Sequence, residues 1–210
     1  MMRLLLADDH ALVRGGVRRI LDVFPDLRVV AEAATGDEAL RLLYASPVDV
    51  VMLDISMPGT GVFELMKRIR TDHPSVRTIV LTVHPEGQYA ARVLRAGAAG
   101  YLSKEHSPEL LVEAIRKVHR GGVFVSPSLG EALATGLASR SEAAPHERLS
   151  DRELDVLIRL AGGQNVKAIA AELGLSAKTV STYHPRVRKK LHLASGAELV
   201  RYAVEHHLID

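Results

Sequence analysis

In the stretch "VVMLDISMPG", residues 50–59, an apolar run is followed by a single carboxylate, Asp54. That run starts at residue 48, and four similar runs occur at residues 3–7, 27–33, 77–82 and 100–103. Strands that are apolar on both faces are typical of a parallel sheet covered by helices. Apolar residues at helical spacing occur between and after the runs, at residues 10–24, 36–45, 62–72, 87–97 and 108–120. Five repeats of strand then helix predict a right-handed, doubly wound α/β domain with five parallel strands.

Length and composition limit the class of protein. With 210 residues, of which 47% are hydrophobic, the chain is long enough for two domains with packed cores. It contains no cysteine, which excludes disulfides and thiolate metal sites. The only N-terminal apolar run, residues 4–7, is too short for a signal peptide or a membrane span. We therefore expect a soluble cytoplasmic protein with no membrane partner.

The second half of the chain has a different pattern. Residues 139–148, "SRSEAAPHER", are polar and lack an apolar period, which is typical of a linker. Four helical patterns follow, at residues 151–161, 166–173, 177–191 and 197–206. We predict a first domain at residues 1–125, a linker with a short helix at 126–148, and a small all-helical bundle at 149–210.

Charge divides the chain in the same way. Residues 148–210 hold ten Lys or Arg against seven Asp or Glu, a net charge of +3, within a chain whose net charge is +2. The densest basic run comprises Lys178, Arg186, Arg188, Lys189 and Lys190, with no acid among them. Such a run suits a polyanion such as nucleic acid, although a solvated helix face would account for it equally well.

Polar side chains follow four of the predicted strands at the point where each strand ends. Asp8 and Asp9 end the first strand, Asp54 the third and Thr82 the fourth, while Lys104 follows the fifth. Because ligands of an open parallel sheet lie beyond the strand carboxyl ends, we expect these groups to be neighbours. Clustered carboxylates repel one another unless a cation binds, and oxygen ligands favour Mg²⁺. The pattern predicts Asp54 as a nucleophile for a phosphoryl group, which Mg²⁺, Lys104 and Thr82 would stabilise. For any one of the three acids, an ordinary loop or N-cap role is the more common explanation, but that role explains the five positions together poorly.

These motifs resemble a known family. "LLLADDH", "VVMLDISMPG", "TIVLT" and "GYLSK" are similar to the motifs of bacterial response-regulator receiver domains, which have a flavodoxin-like fold. The resemblance implies that a histidine kinase phosphorylates Asp54. It implies Asp9, Asp54 and the Ser56 carbonyl as direct Mg²⁺ ligands, with Asp8 acting mostly through water. Tyr101 matches the switch aromatic of the family, which turns inward when Thr82 moves toward the phosphoryl group.

Two positions depart from the family pattern. Val62 stands where the family usually has glycine, with Gly61 before it, so the loop geometry is expected to differ. Glu105 stands where proline commonly follows the lysine through a cis bond. A cis bond before a non-proline residue costs about 3 kcal/mol, so we expect either that strain or a changed loop.

The segment "VKAIAAELGLSAKTVSTYHPRVRKKL", residues 166–191, has the form helix, turn, helix. The pattern turns Ile169, Ala170, Leu173, Val180, Val187 and Leu191 inward and exposes Lys178, Ser181, Thr182 and Arg188. A helix that is basic and polar on its outer face fits the major groove of DNA. The domain resembles LuxR-type helix-turn-helix domains, and the whole chain resembles a NarL/FixJ-type response regulator. The resemblance implies base-edge contacts from Ser181, Thr182 and Pro185 and phosphate contacts from Asn165, Lys167, Lys178, Thr179, Lys189 and Lys190.

Pro185 is the main anomaly of the second half. Inside a helix it removes one hydrogen bond and clashes with the Ser181 carbonyl, at about 3 kcal/mol or a kink. The leading hypothesis is a transcription regulator of a two-component system whose phosphorylation controls dimerisation and binding to double-stranded DNA. A phosphohydrolase using an aspartyl intermediate is a second hypothesis, disfavoured because Ser56 replaces a second catalytic acid. In a third hypothesis the C-terminal bundle binds a protein instead of DNA.

Overall fold

A computed structural model describes residues 1–83, 86–127, 129–131, 145–206 and 208–209. The chain divides into two compact units, Met1–Leu133 and Ala134–Asp210. Most of the predicted linker, residues 132–144, lies outside the described residues. Within its described part, Pro127 and residues 129–131 are helical, and Pro145–Arg148 form a 3-10 turn.

The first unit is built on a parallel sheet of five strands. These are β1 Met2–Ala7, β2 Leu27–Ala33, β3 Val50–Leu53, β4 Arg77–Thr82 and β5 Gly100–Ser103. Their order in the sheet is β2-β1-β3-β4-β5, and every neighbouring pair is parallel. This order confirms the predicted doubly wound, flavodoxin-like fold, and it brings the ends of β1, β3 and β4 side by side.

Five helices follow the strands in turn. They are α1 Ala11–Leu21, α2 Gly36–Ala45, α3 Val62–Asp72, α4 Glu86–Arg95 and α5 Pro108–His119. The Thr35 and Ser107 side chains cap α2 and α5 by accepting a backbone N–H of the first turn. Side chains of the central strands, such as Val50 and Ile79, pack with Ile115 and Val118 of α5 in a buried core.

Helix α1 is shorter than the predicted segment 10–24. It ends at Leu21, because the Phe24 N–H donates to the Leu21 carbonyl in a turn that leads into Pro25. Proline disfavours helical backbone in the residue before it, so residues 22–24 are not helical. Phe24 still packs against the core of the first unit.

The second unit is helical in its described part. After the 3-10 turn come α6 Asp151–Ala161, α7 Val166–Glu172, α8 Ala177–Lys190 and α9 Gly196–Glu205. All six residues predicted to face inward are buried. A capping box begins α6, since the Ser150 and Glu153 side chains each accept the other's backbone N–H. No helix among the described residues is long and apolar enough to cross a membrane.

Candidate functional site

An acidic pocket lies at the carboxyl end of the sheet. Asp8 and Asp9 follow β1 and Asp54 follows β3, and one ligand atom from each of these residues and from His10 lies within 4.8 Å of the others. Asp8 and Asp54 are buried, whereas the Asp9 side chain is 34% exposed. The three carboxylates predicted from the sequence therefore lie together, because the strands that precede them end at the same edge of the sheet. Oxygen donors clustered at this density suit a hard divalent cation.

Lys104 joins the two buried carboxylates. Its Nζ atom lies 2.6 Å from Asp8 Oδ2 and 3.2 Å from Asp54 Oδ2. Its backbone N–H donates to the carbonyl of Thr82 at 2.8 Å, which extends the pairing of β4 with β5 by one residue. Thr82 itself is fully buried at the end of β4. The predicted lysine and threonine thus lie at the same edge of the sheet as the acids.

Burial dominates the electrostatics of Asp54. Burial raises the pKa of its carboxyl above the ordinary value, the Lys104 ammonium opposes that effect, and the nearby charges of Asp8 and Asp9 add to it. Hydrogen bonds also favour the ionised form, since the Lys104 ammonium donates to the Asp54 carboxylate and the Ile55 N–H donates to Asp54 Oδ1 at 2.9 Å. Among the described residues, three carboxylates against the Lys104 ammonium give the pocket net negative charge, which a divalent cation would offset.

The loop after Asp54 is held by the start of α2. Ser56 lies in the turn that begins this loop. The Gly36 N–H donates to the Pro58 carbonyl at 3.1 Å, and the Thr60 hydroxyl donates to Asp37 Oδ1 at 2.5 Å. A Cβ atom on Gly36 would collide with the backbone carbonyl of Thr60, so this close approach requires glycine.

Val62, which stands where the family usually has glycine, lies at the end of this loop. Gly59 supplies the left-handed backbone, at φ +84°, that the turn requires. Gly61 is extended at φ −63°, and α3 begins directly at Val62, whose side chain is buried. The loop therefore places its special backbone conformation three residues before Val62 and uses Val62 for packing.

Glu105, which stands where the family commonly has proline, follows Lys104 in a loop without a cis bond. No cis peptide occurs in the described part of the chain, so the Lys104–Glu105 bond is trans. The His106 N–H donates to the Ser103 carbonyl at 3.1 Å, and the Ser103 N–H donates to His106 Nδ1 at 3.1 Å. Of the two outcomes that the sequence left open, the structure has the changed loop. Tyr101, the predicted switch aromatic, lies on β5 before this turn and is fully buried.

The second unit exposes most of the residues predicted to contact nucleic acid. Asn165, Lys167, Lys178, Ser181, Thr182, Pro185, Lys189 and Lys190 are exposed, while Thr179 and Arg188 are half-buried. Some of these side chains already have partners within the unit. Asn165 caps α7, and the Thr182 hydroxyl donates to the Thr179 carbonyl at 2.7 Å. The Arg188 guanidinium donates to the Ala194 carbonyl.

Lys190 has the strongest internal partner of this set. Its Nζ atom lies 2.7 Å from Oε2 of Glu153, a buried carboxylate of the capping box of α6. Lys190 therefore ties the end of α8 to the start of α6, a role that the sequence pattern did not predict.

Helix α8 continues without interruption through Pro185. Because proline lacks an N–H, the Ser181 carbonyl receives no hydrogen bond from the backbone of residue 185. Val180 and Val187, on either side of Pro185, are both fully buried. Their packing against the bundle stabilises a helix that proline would otherwise disfavour.

Comparison with known proteins gives two matches that together span both units. Residues 4–116 match the response regulator receiver domain, and residues 147–203 match the luxR family of bacterial regulatory proteins. The chain belongs to the response regulators.

Two curated relatives extend over the whole of this response regulator. Response regulator UvrY of Escherichia coli (strain K12) is 40% identical over 211 residues, covering 100% of this chain and 97% of the relative. Response regulator GacA of Pseudomonas protegens is 38% identical over 210 residues, covering 100% of this chain and 99% of the relative.

A solved structure is similar over nearly the whole chain. It is RcsB from Salmonella enterica serovar Typhimurium bound to promoter rprA in the presence of the phosphomimetic BeF3−. It has a TM-score of 0.68 at 29% identity, and it covers 96% of this chain and 98% of that chain.

Two side chains of the response regulator pocket were not predicted from the sequence. His10 Nδ1 lies 2.9 Å from Asp9 Oδ1, and the His10 N–H donates to Asp8 Oδ1 at 2.8 Å. Arg14 Nη1 donates to the Asp8 carbonyl at 2.5 Å, and its Nε lies 3.5 Å from Glu32 Oε2. His10 adjoins the acidic pair in sequence, so that signal was present. Arg14 lies in the first turn of α1 and contacts Asp8, six residues earlier, and no motif of the sequence indicated that contact.

Proposed function

We propose that this response regulator accepts a phosphoryl group from a sensor histidine kinase on Asp54 and thereby controls DNA binding by its second unit. The observation that carries the proposal is the shared contact of Lys104 Nζ with Asp8 and Asp54 at 2.6 and 3.2 Å. It supports a pocket in which a nucleophilic carboxylate, a cation and an acidic pair are already assembled.

The donor set of the pocket fits Mg²⁺. Three carboxylates converge there, and their number exceeds that of the neighbouring cations. Asp9, Asp54 and the Ser56 carbonyl would hold the ion directly, and Asp8 would act mostly through water. Bound Mg²⁺ would offset the negative charge of the phosphoryl oxygens.

The residues of the chain account for the transfer itself. A carboxylate oxygen of Asp54 attacks phosphorus, a P–O bond forms, and the P–N bond to the kinase histidine breaks with its electron pair going to nitrogen. The Lys104 ammonium stabilises the charge on the phosphoryl oxygens. The Thr82 hydroxyl donates a hydrogen bond to the same group. The rigid end of β3 fixes the direction of attack.

The second unit supplies the output. Ser181 and Thr182 on the outer face of α8 would contact base edges together with Pro185, and exposed lysines such as Lys178 and Lys189 would contact phosphates. The DNA-bound RcsB structure supports this assignment, because it is similar over nearly the whole chain. One helix-turn-helix unit buries little surface, so we propose that the active form is a homodimer that reads two half-sites.

The test is selection of binding sites from a library of random duplex DNA by the purified protein, with and without Mg²⁺ and acetyl phosphate. Asp54→Asn is the test variant. Asp22→Asn, a change at a carboxylate that is 59% exposed on the end of α1, is the matched control. We expect enrichment of an inverted repeat whose binding tightens with acetyl phosphate in the wild type and the control, but not in Asp54→Asn. Equal binding by all three proteins would contradict the switch, and a lack of salt-dependent DNA binding would favour a protein-binding output.

A further inference from the structure

The turn that carries Lys104 is closed by one imidazole ring. Ser103 ends β5, and its N–H donates to His106 Nδ1 at 3.1 Å. The His106 N–H donates back to the Ser103 carbonyl at 3.1 Å, and the Glu105 N–H donates to Ser103 Oγ at 3.2 Å. Lys104 is thus the first residue inside a turn whose two ends are joined by reciprocal hydrogen bonds.

The position of Lys104 depends on this turn. Its backbone N–H is fixed to Thr82, and its Nζ must reach both Asp8 and Asp54, so the turn after it determines where the side chain starts. His106 is half-buried and lines the same cavity as Lys104, beside Val13 and Val17 of α1. The ring is therefore held between the turn and α1.

We propose that His106 is a positioning residue for Lys104: the acceptor atom Nδ1 holds the turn in the form that directs the ammonium group at Asp8 and Asp54. This inference rests on the proposed phosphorylation of Asp54. An Nδ1 that accepts a hydrogen bond in a neutral ring leaves the proton on Nε2. With a trans bond between Lys104 and Glu105, the imidazole supplies the constraint at the end of the turn.

The chemistry of the acceptor provides a matched pair of variants. In asparagine, Oδ1 is separated from the backbone by the same number of bonds as Nδ1 of histidine, so His106→Asn keeps the acceptor for the Ser103 N–H. In glutamine the carbonyl oxygen is one bond further out, so His106→Gln keeps the polarity of the side chain but displaces the acceptor. His119→Gln, at the exposed end of α5, controls for the loss of a histidine elsewhere.

The experiment measures the rate of phosphorylation of the full-length protein by acetyl phosphate with Mg²⁺, for the wild type and the three variants. Thermal unfolding confirms that each variant is folded, and hydrogen exchange of the Ser103 amide reports the bond directly. We expect His106→Gln to lower the rate about tenfold, since small displacements of a reacting group cost up to about 100-fold. We expect His106→Asn to recover most of the rate and to restore protection of the Ser103 amide.

The outcomes separate this inference from the proposed function. If acetyl phosphate modifies the wild type and modifies His106→Gln at the same rate, the role of His106 is overturned and the proposed function is not. Equal losses in the Asn and Gln variants would also overturn it, because the acceptor position would then have no effect. A wild type that acetyl phosphate does not modify at Asp54 would overturn both proposals, and the Asp54→Asn control identifies that case.

Discussion

At the scale of single residues, Glu153 has more contacts than its place at the start of a helix suggests. Its carboxylate accepts the Ser150 N–H at 2.7 Å and the Lys190 ammonium at 2.7 Å, and it is buried. Burial acts to raise the pKa of Glu153, but the hydrogen bonds from Lys190 and Ser150 outweigh it and lower the pKa below its ordinary value of 4.5. The ionised form is therefore the one that stabilises the second unit.

The pH dependence of stability follows from that direction. Because the folded pKa is lowered, the contribution of Glu153 is fully present above pH 4.5 and is lost as the pH falls through the lowered folded value. Thermal unfolding of the full chain between pH 7 and pH 3 should show this loss in the wild type and not in Glu153→Gln. Parallel curves for the two proteins would contradict the prediction.

Two adjacent lysines at the end of α8 should behave differently. Lys190→Met removes the partner of Glu153, so we expect it to lower the free energy of unfolding by about 1 kcal/mol. The Lys189 side chain is exposed, and it forms no ion pair or hydrogen bond with the described residues. Lys189→Met should leave stability unchanged and lower the slope of log Kd against log salt for DNA by about one. Urea unfolding and DNA titrations at several salt concentrations check both, and exchanged phenotypes would contradict the assignment.

The placement of single residues could be predicted where a rule of position applied. Asp8, Asp9, Asp54, Thr82 and Lys104 lie at one edge of the sheet because parallel strands end there, while their roles stay predictions. The contact of Lys190 with Glu153 could not be predicted, because the two residues are 37 positions apart along the chain. No local pattern contains a pairing over that distance, and the folded bundle determines it.

At the scale of elements, α8 keeps a proline that a helix would disfavour. Helix propensity predicts a break or a cost of about 3 kcal/mol at Pro185. The buried valines on either side keep the helix continuous, so tertiary packing overrides the local preference. The same limit applies to α1, whose end was predicted three residues too late because the apolar period continues to Phe24 while the backbone already turns.

Pro185→Ala tests the cost within α8. The alanine N–H can bond the Ser181 carbonyl and the ring clash disappears, so we expect the free energy of unfolding to rise by up to about 3 kcal/mol. Ser181→Ala, at an exposed position of the same helix, is the control and should change stability by less than about 0.5 kcal/mol. Urea unfolding followed by far-ultraviolet circular dichroism measures both. A less stable Pro185→Ala protein would contradict the prediction and would assign the proline a packing role.

At the scale of the whole molecule, each of the two units has a hydrophobic core among its described residues. One contains Ile115 of α5 and the other contains Ile169 of α7, and both side chains are fully buried. The alternation of strands and helices in the first half predicted the first core, and the helical spacing after the linker predicted the second. The boundaries at residues 125 and 148 stay predictions, and the two compact units divide between Leu133 and Ala134, within the predicted linker.

Separate cores should give separate unfolding transitions. Ile115→Ala and Ile169→Ala each create a cavity that costs about 2–5 kcal/mol, and we expect each variant to lower the temperature of one transition only. Differential scanning calorimetry of the full chain measures both transitions, and the unsubstituted protein supplies the reference temperatures. If either variant shifts both transitions equally, the two units unfold as one.

The contact between Gly36 and the loop after Asp54 has an evolutionary consequence. Any side chain at position 36 would collide with the Thr60 carbonyl, and the loop that includes Ser56 would have to move. Helix α2 contributes none of the chemical groups of the pocket, yet its first residue restricts which substitutions the loop after Asp54 can accept during evolution. Among natural variants of this protein, we expect replacements of Gly36 to be accompanied by compensating changes in residues 56–60.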